Sequence, residues 1–326
     1  MHGWVCDNPV GAQALTWKPL ELGAPAEGQV RVRVRAASLN FPDLLTVENK
    51  YQIKPPLPFV PGAEYAGEVE ALGPGVDHLK EGQSVAVIGA SGGFGTHALA
   101  AASNCLPMPS GMPHEHACAF AFTYGTNHHA LMDRAALKPG EWVLVLGAAG
   151  GIGTSAIQIA KAAKAKVIAA ASTAQKADFC RTIGADEAID LSSQDIRARL
   201  KEITAGKGPD VVLDPVGGAL AEPVFRSIAW RGRYLVIGFA GGSIPALPWN
   251  LALLKGASVV GVFWGDFVRR EPAAFSQAMG ELARWYSSGL VRPVIDRQWP
   301  MSRLPEAYQL MASRHVQGKI VMVNTD

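Results

Sequence analysis

The sequence predicts an α/β protein of two domains, one β-rich and one doubly wound, in which a parallel sheet carries helices on both faces. Three observations carry that prediction. A strand, a glycine turn, a helix and a second strand follow one another from Trp142 to Ser172. Strand and helix patterns then alternate regularly until six strands have been counted by Phe263. The first hundred residues instead repeat with the period of two that belongs to half-buried strands. At 326 residues the chain is also too long for one comfortable core.

Val30, Val32, Val34 and Ala36 alternate with Arg31, Arg33 and Arg35, which makes a strand with one solvated basic face rather than a phosphate patch. Ser38 to Tyr51 reads as a functional loop. Pro55, Pro56, Pro58 and Pro61 stiffen the approach to Gly62–Val69. Gly73-Pro74-Gly75 turns the chain. A helix from about Glu115 leads to Thr123–Thr126, and a further helix carries His128 to Ala136. Lys138-Pro139-Gly140 is a turn.

Trp142–Leu146 is an unbroken apolar run, as a strand covered on both faces requires. Gly147-Ala148-Ala149-Gly150-Gly151-Ile152-Gly153 turns into a helix, and Lys166–Ser172 returns as a strand. Such a turn lets a dinucleotide pyrophosphate rest on backbone N–H groups at a helix N-terminus. Ala148 stands where the first glycine of G-x-G-x-x-G would be, but the framing strands and helix make the motif specific. Residues 89–95, Gly-Ala-Ser-Gly-Gly-Phe-Gly, nearly duplicate the turn. A helix and a returning strand do not fit before Pro107, Pro109 and Pro113, so this first copy is expected to be a plain loop. Further strands are expected at Glu187–Asp190, Val211–Asp214, Tyr234–Gly238 and Ser258–Phe263, with the order 3-2-1-4-5-6. The tail reads as a helix over Pro272–Ser287, an extended Arg292–Trp299, a helix near Leu304–Ala312 and a strand, Lys319–Val323. The expected division is 1–124, 125–264 and a return segment, 265–326.

Hydrophobic residues make up 48% and charged residues 18%, which excludes disorder. A net charge of +2 without a basic stripe argues against nucleic acid. Cys6, Cys105, Cys118 and Cys180 are widely spaced and read as reduced thiols. No signal-peptide pattern opens the sequence and no uncharged apolar run reaches membrane-spanning length, so the protein is expected in the cytoplasm without a membrane.

Ser38-Leu39-Asn40-Phe41-Pro42-Asp43, Pro61-Gly62-Ala63-Glu64, Gly147–Gly153 with Gln158-Ile159-Ala160-Lys161, Asp214-Pro215-Val216-Gly217-Gly218 and Gly318-Lys319-Ile320-Val321 together resemble one family. It is the quinone oxidoreductase (zeta-crystallin-like) branch of the medium-chain dehydrogenase/reductase superfamily, and the resemblance spans the chain. It implies a GroES-like catalytic domain, a Rossmann domain and hydride transfer from NADPH to a quinone or other conjugated carbonyl, without zinc. Zinc-dependent relatives look for Cys where Asn40 stands and His where Ala63 stands, and neither residue is a good zinc ligand. His114, His116 and Cys118 form a rival cluster that a helix would split between faces.

By the same resemblance Asn40, Tyr51 and Thr126 line the nicotinamide and substrate pocket. The expected cofactor contacts are Ala149, Gly150, Gly151 and Ile152 of the turn, Ser172 and Lys176 at the 2′-phosphate, and Gly238, Phe239 and Ala240 beside the nicotinamide. An NAD site needs an acid roughly 20 residues past the glycine turn. Ala171-Ser172-Thr173 offers none, which favours NADPH. An enoyl or acryloyl-type reductase, or a cofactor-binding protein with a structural or regulatory role, are the competing readings. The apolar edge strand Ala257–Trp264 is expected to pair two chains in a homodimer.

Overall fold

An antiparallel pair, β1 (His2–Val5) and β2 (Thr16–Pro19), opens the chain and leads to β3 (Gln29–Leu39). The computed structural model describes residues 1–325. Along β3 the valines at 30, 32 and 34 are buried, as the alternation requires. Arg31, Arg33 and Arg35 face away, and α1 (Phe41–Val47) separates them in sequence from their partners on β4 (Glu64–Leu72). Glu70 accepts from Arg31 at 2.6 Å and from Arg33 at 3.1 Å, and Glu68 from Arg35 at 3.1 Å. Cross-strand ion pairs of this kind occupy the basic row. Helix α1 corrects the expectation of a loop over Ser38–Tyr51: Pro42 sits in its first turn, where the missing N–H is harmless, and the Asp43 carboxylate accepts from Asn40 N–H at 2.8 Å.

Strand β5 (Ser84–Ile88) ends in the first glycine loop, and β6 (His97–Ala101) then pairs antiparallel with β3. No helix follows that loop. Its N–H groups at Gly92, Gly93 and Phe94 instead donate to the carbonyls of Val60, Gly62 and Pro61. Gly62, at φ 101°, has the Phe94 nitrogen only 2.8 Å from where a Cβ would stand, so the approach demands glycine. Next come β7 (Cys105–Pro107), α2 (His114–Ala117) and α3 (Ala121–His128). Thr123–Thr126 lies inside α3 rather than between two helices, and α3 runs on into a wider π turn, His129–Arg134.

The doubly wound region is β8 (Trp142–Leu146), α4 (Gly151–Ala162), β9 (Lys166–Ala171), α5 (Ala174–Thr182), β10 (Glu187–Asp190), α6 (Ile196–Ile203), β11 (Val211–Asp214), α7 (Ala221–Ser227), β12 (Arg233–Val236), α8 (Asn250–Lys255) and β13 (Ser258–Gly261). Its six strands are parallel in the order β10-β9-β8-β11-β12-β13, the 3-2-1-4-5-6 arrangement. Leu144, Leu146, Ile168, Val212 and Phe225 are fully buried among the sheet and its helices. Helices α9 (Trp264–Arg270) and α10 (Pro272–Ser287) follow, then β14 (Ile295–Pro300), α11 (Leu304–Ala312) and β15 (Lys319–Val323).

Two units result: Met1–Phe122 with the chain from Ile295 onward, and Thr123–Val294. The return therefore starts at Ile295 and not at 265. The reason is the apolar face of α10, where Phe275, Ala278, Leu282 and Tyr286 are buried. Phe275 packs edge-on to Trp264 at 6.0 Å, and Glu281 bonds His128 of α3 at 3.0 Å, which holds both helices in the second unit. In the first unit β15 lies between β14 and β3, in the sheet β14-β15-β3-β4-β5-β7. All four cysteines are buried and free, and no helix among the described residues is long and apolar enough to cross a membrane.

Candidate functional site

In the second unit the site begins at the glycine turn. Gly150 precedes α4 with extended backbone, and no side chain caps the first turn. The leading N–H groups of a helix have no intrahelical partner, so those of Gly151 and Ile152 are left to a ligand. A Cβ built on Gly150 would meet nothing closer than Gly147 O at 3.6 Å, so the space above it is open. Gly153 differs: its Cβ would stand 2.5 Å from the carbonyl carbon and Cα of Ala148. Turn and helix touch there, and the touch fixes the turn that Ala149, Gly150, Gly151 and Ile152 form. These features fit a dinucleotide pyrophosphate.

Ser172 is exposed just past β9, and Lys176 lies in the first turn of α5, capped by Thr173. No acid stands between Ala171 and Lys176, so no carboxylate would oppose a 2′-phosphate. Gly238, Phe239 and Ala240 follow β12, and the loop Pro215–Gly218 holds them from beneath. Gly238 and Ala240 N–H donate to Asp214 O at 3.4 Å and Pro215 O at 3.0 Å, and Gly218 N–H donates to Ser243 O at 3.1 Å. The lower loop is itself set by the buried Asp214, whose carboxylate accepts from Val216 N–H, Gly217 N–H and the Tyr234 hydroxyl at 2.8, 2.8 and 2.6 Å. Burial, and then the Asp214 charge, push the Tyr234 phenol far up. This clamp escaped the sequence reading, though an acid ending an apolar strand was its signal.

Thr126 is buried within α3. Its neighbour Asn127, also missed, is wholly buried and donates to Ile152 O and Ser155 Oγ, each at 2.7 Å. That tie binds the helix bearing Thr126 to the first turn of α4. Gly125 admits Trp264, whose ring atoms lie 2.8–3.0 Å from where a Cβ would be. His128 pairs with Glu281, and His129 stacks on Phe267 at 3.9 Å, so the two histidines serve separate structural contacts.

In the first unit a buried polar cluster gathers at one end of three adjacent strands. Glu64 accepts from Ser38 Oγ at 2.8 Å, Asn40 Nδ2 at 3.1 Å, Lys319 Nζ at 3.4 Å and Phe122 N–H at 2.8 Å. Lys319 also donates to Asn40 Oδ1 at 2.5 Å. Asp43 beside them accepts from the N–H groups of Asn40 and Ala63. Burial pushes its carboxyl up to about 6, against the pull of those two N–H groups and of Lys319. Tyr51 stands apart from this cluster, half-buried in a cleft of about 280 Å³ lined also by Pro9, Thr46, Ile53, Leu57 and Phe59. Burial and then the Asp43 charge raise its phenol, which keeps it protonated.

Zinc does not suit these residues. Asn40 and Ala63 supply neither thiolate nor imidazole, and every donor around Glu64 is an N–H or O–H. Burial pushes the Cys118 thiol well up, so it is a poor thiolate source. Among the described residues no three His, Cys, Asp or Glu side chains are placed to hold a metal.

Residues 26–110 match the alcohol dehydrogenase GroES-like domain, and residues 151–284 match the zinc-binding dehydrogenase family. The chain is 35% identical to the quinone oxidoreductase-like protein 2 homolog of Nematostella vectensis over 299 residues, covering 91% of this chain and 82% of that one. The Escherichia coli quinone oxidoreductase, solved with NADPH, superposes with a TM-score of 0.90 at 29% identity, covering 99% of this chain and 100% of the other. The Thermus thermophilus quinone oxidoreductase, also solved with NADPH, gives 0.86 at 32% identity over 99% and 100%.

Proposed function

An oxidoreductase that belongs to the quinone oxidoreductase branch of the medium-chain dehydrogenase/reductase superfamily, this chain is, we propose, an NADPH-dependent reductase of quinones or similar conjugated carbonyls that works without zinc. The observation that carries the reading is the open, uncapped start of α4 beside a strand end free of acids. When bound, NADPH supplies a hydride at its nicotinamide ring. The first-turn N–H groups of α4 would hold the pyrophosphate. Ser172 and Lys176 would take the 2′-phosphate by charge-assisted hydrogen bonds. The backbone at Gly238, Phe239 and Ala240 would border the nicotinamide, and the Thr126 hydroxyl would orient it.

Asn40 has an amide to donate to the acceptor oxygen. Tyr51 offers an aromatic wall and a phenol that retains its proton. Substrate choice would follow from the Tyr51 cleft, whose other walls mix the aliphatic Pro9, Ile53, Pro55 and Leu57 with Phe59 and the polar Thr46, Asn49 and Lys54. The apolar edge strand β13, with Val259 and Phe263 exposed nearby, would join two chains into a homodimer. The division at Phe122 and Ile295 would separate a catalytic domain from a nucleotide domain, in a cytoplasmic enzyme with no nucleic-acid partner.

The test is NADPH consumption by the purified protein with benzoquinone, naphthoquinone, an enone and an enoyl thioester. Quinones should turn over fastest, in protein that metal analysis finds free of zinc. Faster reduction of the thioester would make it an enoyl reductase, and no turnover on any acceptor would leave a cofactor-binding role. One equivalent of zinc, with activity lost to a chelator, would refute the metal-free mechanism.

A further inference from the structure

The Asn40 amide has two ends that an unconstrained side chain exchanges by rotating about its last torsion. Here the ends are bracketed. Lys319 Nζ, which only donates, lies 2.5 Å from Oδ1, and the Glu64 carboxylate, which accepts, lies 3.1 Å from Nδ2. Turning the amide over would set donor against donor and acceptor against acceptor. Lys319 is 4% exposed, Glu64 1% and Asn40 6%, so water cannot repair the mismatch. The second Nδ2 hydrogen has contacts of only 3.4 and 3.5 Å, to Ser38 Oγ and Ser38 O, too long to commit it. The bracket thus leaves Asn40 with one donor of fixed orientation that Ser38 holds only loosely.

We infer that Lys319 is a positioning residue: together with Glu64 it locks the Asn40 amide so that Nδ2–H, and not Oδ1, is offered to the oxygen of the acceptor. The inference rests on the reading of Asn40 given above as a residue that meets that oxygen. It assigns a function to a lysine 279 positions away in sequence and on a different strand. A lysine here also compensates the buried Glu64 charge, so its two contributions must be separated experimentally.

Lys319→Met alone leaves Glu64 without its counter-charge and should lower both thermal stability and turnover. The double variant Lys319→Met/Glu64→Gln removes both charges. It should recover the melting temperature while kcat stays about ten- to a hundredfold down, with the Kd for NADPH unchanged. Asn40→Ala should be at least as slow. A double variant that regains its melting temperature and turns over at the wild-type rate, beside a slow Asn40→Ala, overturns the positioning role alone. Wild-type turnover in Asn40→Ala overturns the reading of Asn40 and the inference with it. Should Lys319→Met fail to fold, the double variant still decides.

Discussion

Gly153→Ala tests whether the start of α4 is a positioned cradle or merely a helix end. The added methyl would sit 2.5 Å from two backbone carbons of Ala148. Relaxed carbon–carbon contacts need about 3.5–4.0 Å, so helix and turn must part by roughly 1 Å. Backbone cannot swing aside as a flexible side chain does, and overpacking of this kind costs about 1–3 kcal/mol. Replacing glycine within a helix returns about 0.5–1 kcal/mol, which leaves a net loss of up to about 2.5 kcal/mol. The same displacement moves the N–H groups of Gly151 and Ile152 out of reach of a pyrophosphate, and a misplacement of about 1 Å can cost about a hundredfold. Fluorescence titration with NADPH and a urea melt read the two effects. Gly150→Ala is the control. Its methyl meets only Gly147 O at 3.6 Å and its φ of −81° suits alanine, so the melt should not move. The methyl does enter the open space above the turn, so NADPH should still bind at least tenfold more weakly. A Gly153→Ala protein with the wild-type melt and Kd would refute the close contact, and a Gly150→Ala protein with unchanged Kd would refute the cradle.

Lys176→Ala should weaken NADPH about ten- to a hundredfold, the value of a charge-assisted phosphate contact of about 1.5–3 kcal/mol. NADH should be nearly unaffected, and equal losses for both cofactors would show that Lys176 does not read the phosphate. Tyr234→Phe removes the 2.6 Å donor to Asp214; unfolding should come earlier by about 1–3 kcal/mol, and an unmoved midpoint would mean the clamp carries nothing. Asp43 sets a pH dependence. Its carboxyl rises from 3.8 to about 6 on folding, so the folded protein holds a proton that the unfolded chain has released. Its contribution to stability is therefore full below about pH 4 and is lost as pH rises through about 6. Between pH 7 and pH 5 the wild type should gain about 1 kcal/mol over Asp43→Asn, whereas parallel stability curves for the two proteins would contradict the shift. Val259→Lys, at the exposed edge of β13, should give a monomer by light scattering; a dimer that survives it lies elsewhere.

The doubly wound unit was legible because its signals are local. Apolar runs such as Val143–Leu146 and Val167–Ala171 are punctuated by glycines, and the strand order follows from their spacing. Helix α3 was legible only in part. Thr123–Thr126 reads as a join between two helices, yet one helix continues through Gly125, whose missing side chain makes room for Trp264, a contact 139 positions on. The return at Ile295 was hidden for a similar reason: α10 reads as amphipathic, but nothing local says which unit its apolar face will meet. Asn40 could be picked from its motif. Its partner Lys319 stands in a motif too, Gly318–Val321, but nothing local gave it a role, although a lone cation opening the apolar strand Lys319–Val323 was a visible anomaly.

Strand β15 fixes an order of events during synthesis. It fills the place between β14 and β3, and Ile320 pairs with Leu39. The whole of Thr123–Val294 leaves the ribosome between those two pairing partners. That intervening unit is continuous in sequence and can close its own sheet at once, while the Ala36–Leu39 end of one β3 edge waits bare beside the part that β6 covers. Loop closure over so long an interval makes the last pairing slow. The buried charge cluster waits with it, because Glu64 and Asn40 have no cation until Lys319 arrives. The nascent protein would thus complete the nucleotide domain first and acquire its polar cluster in one of the final acts of folding.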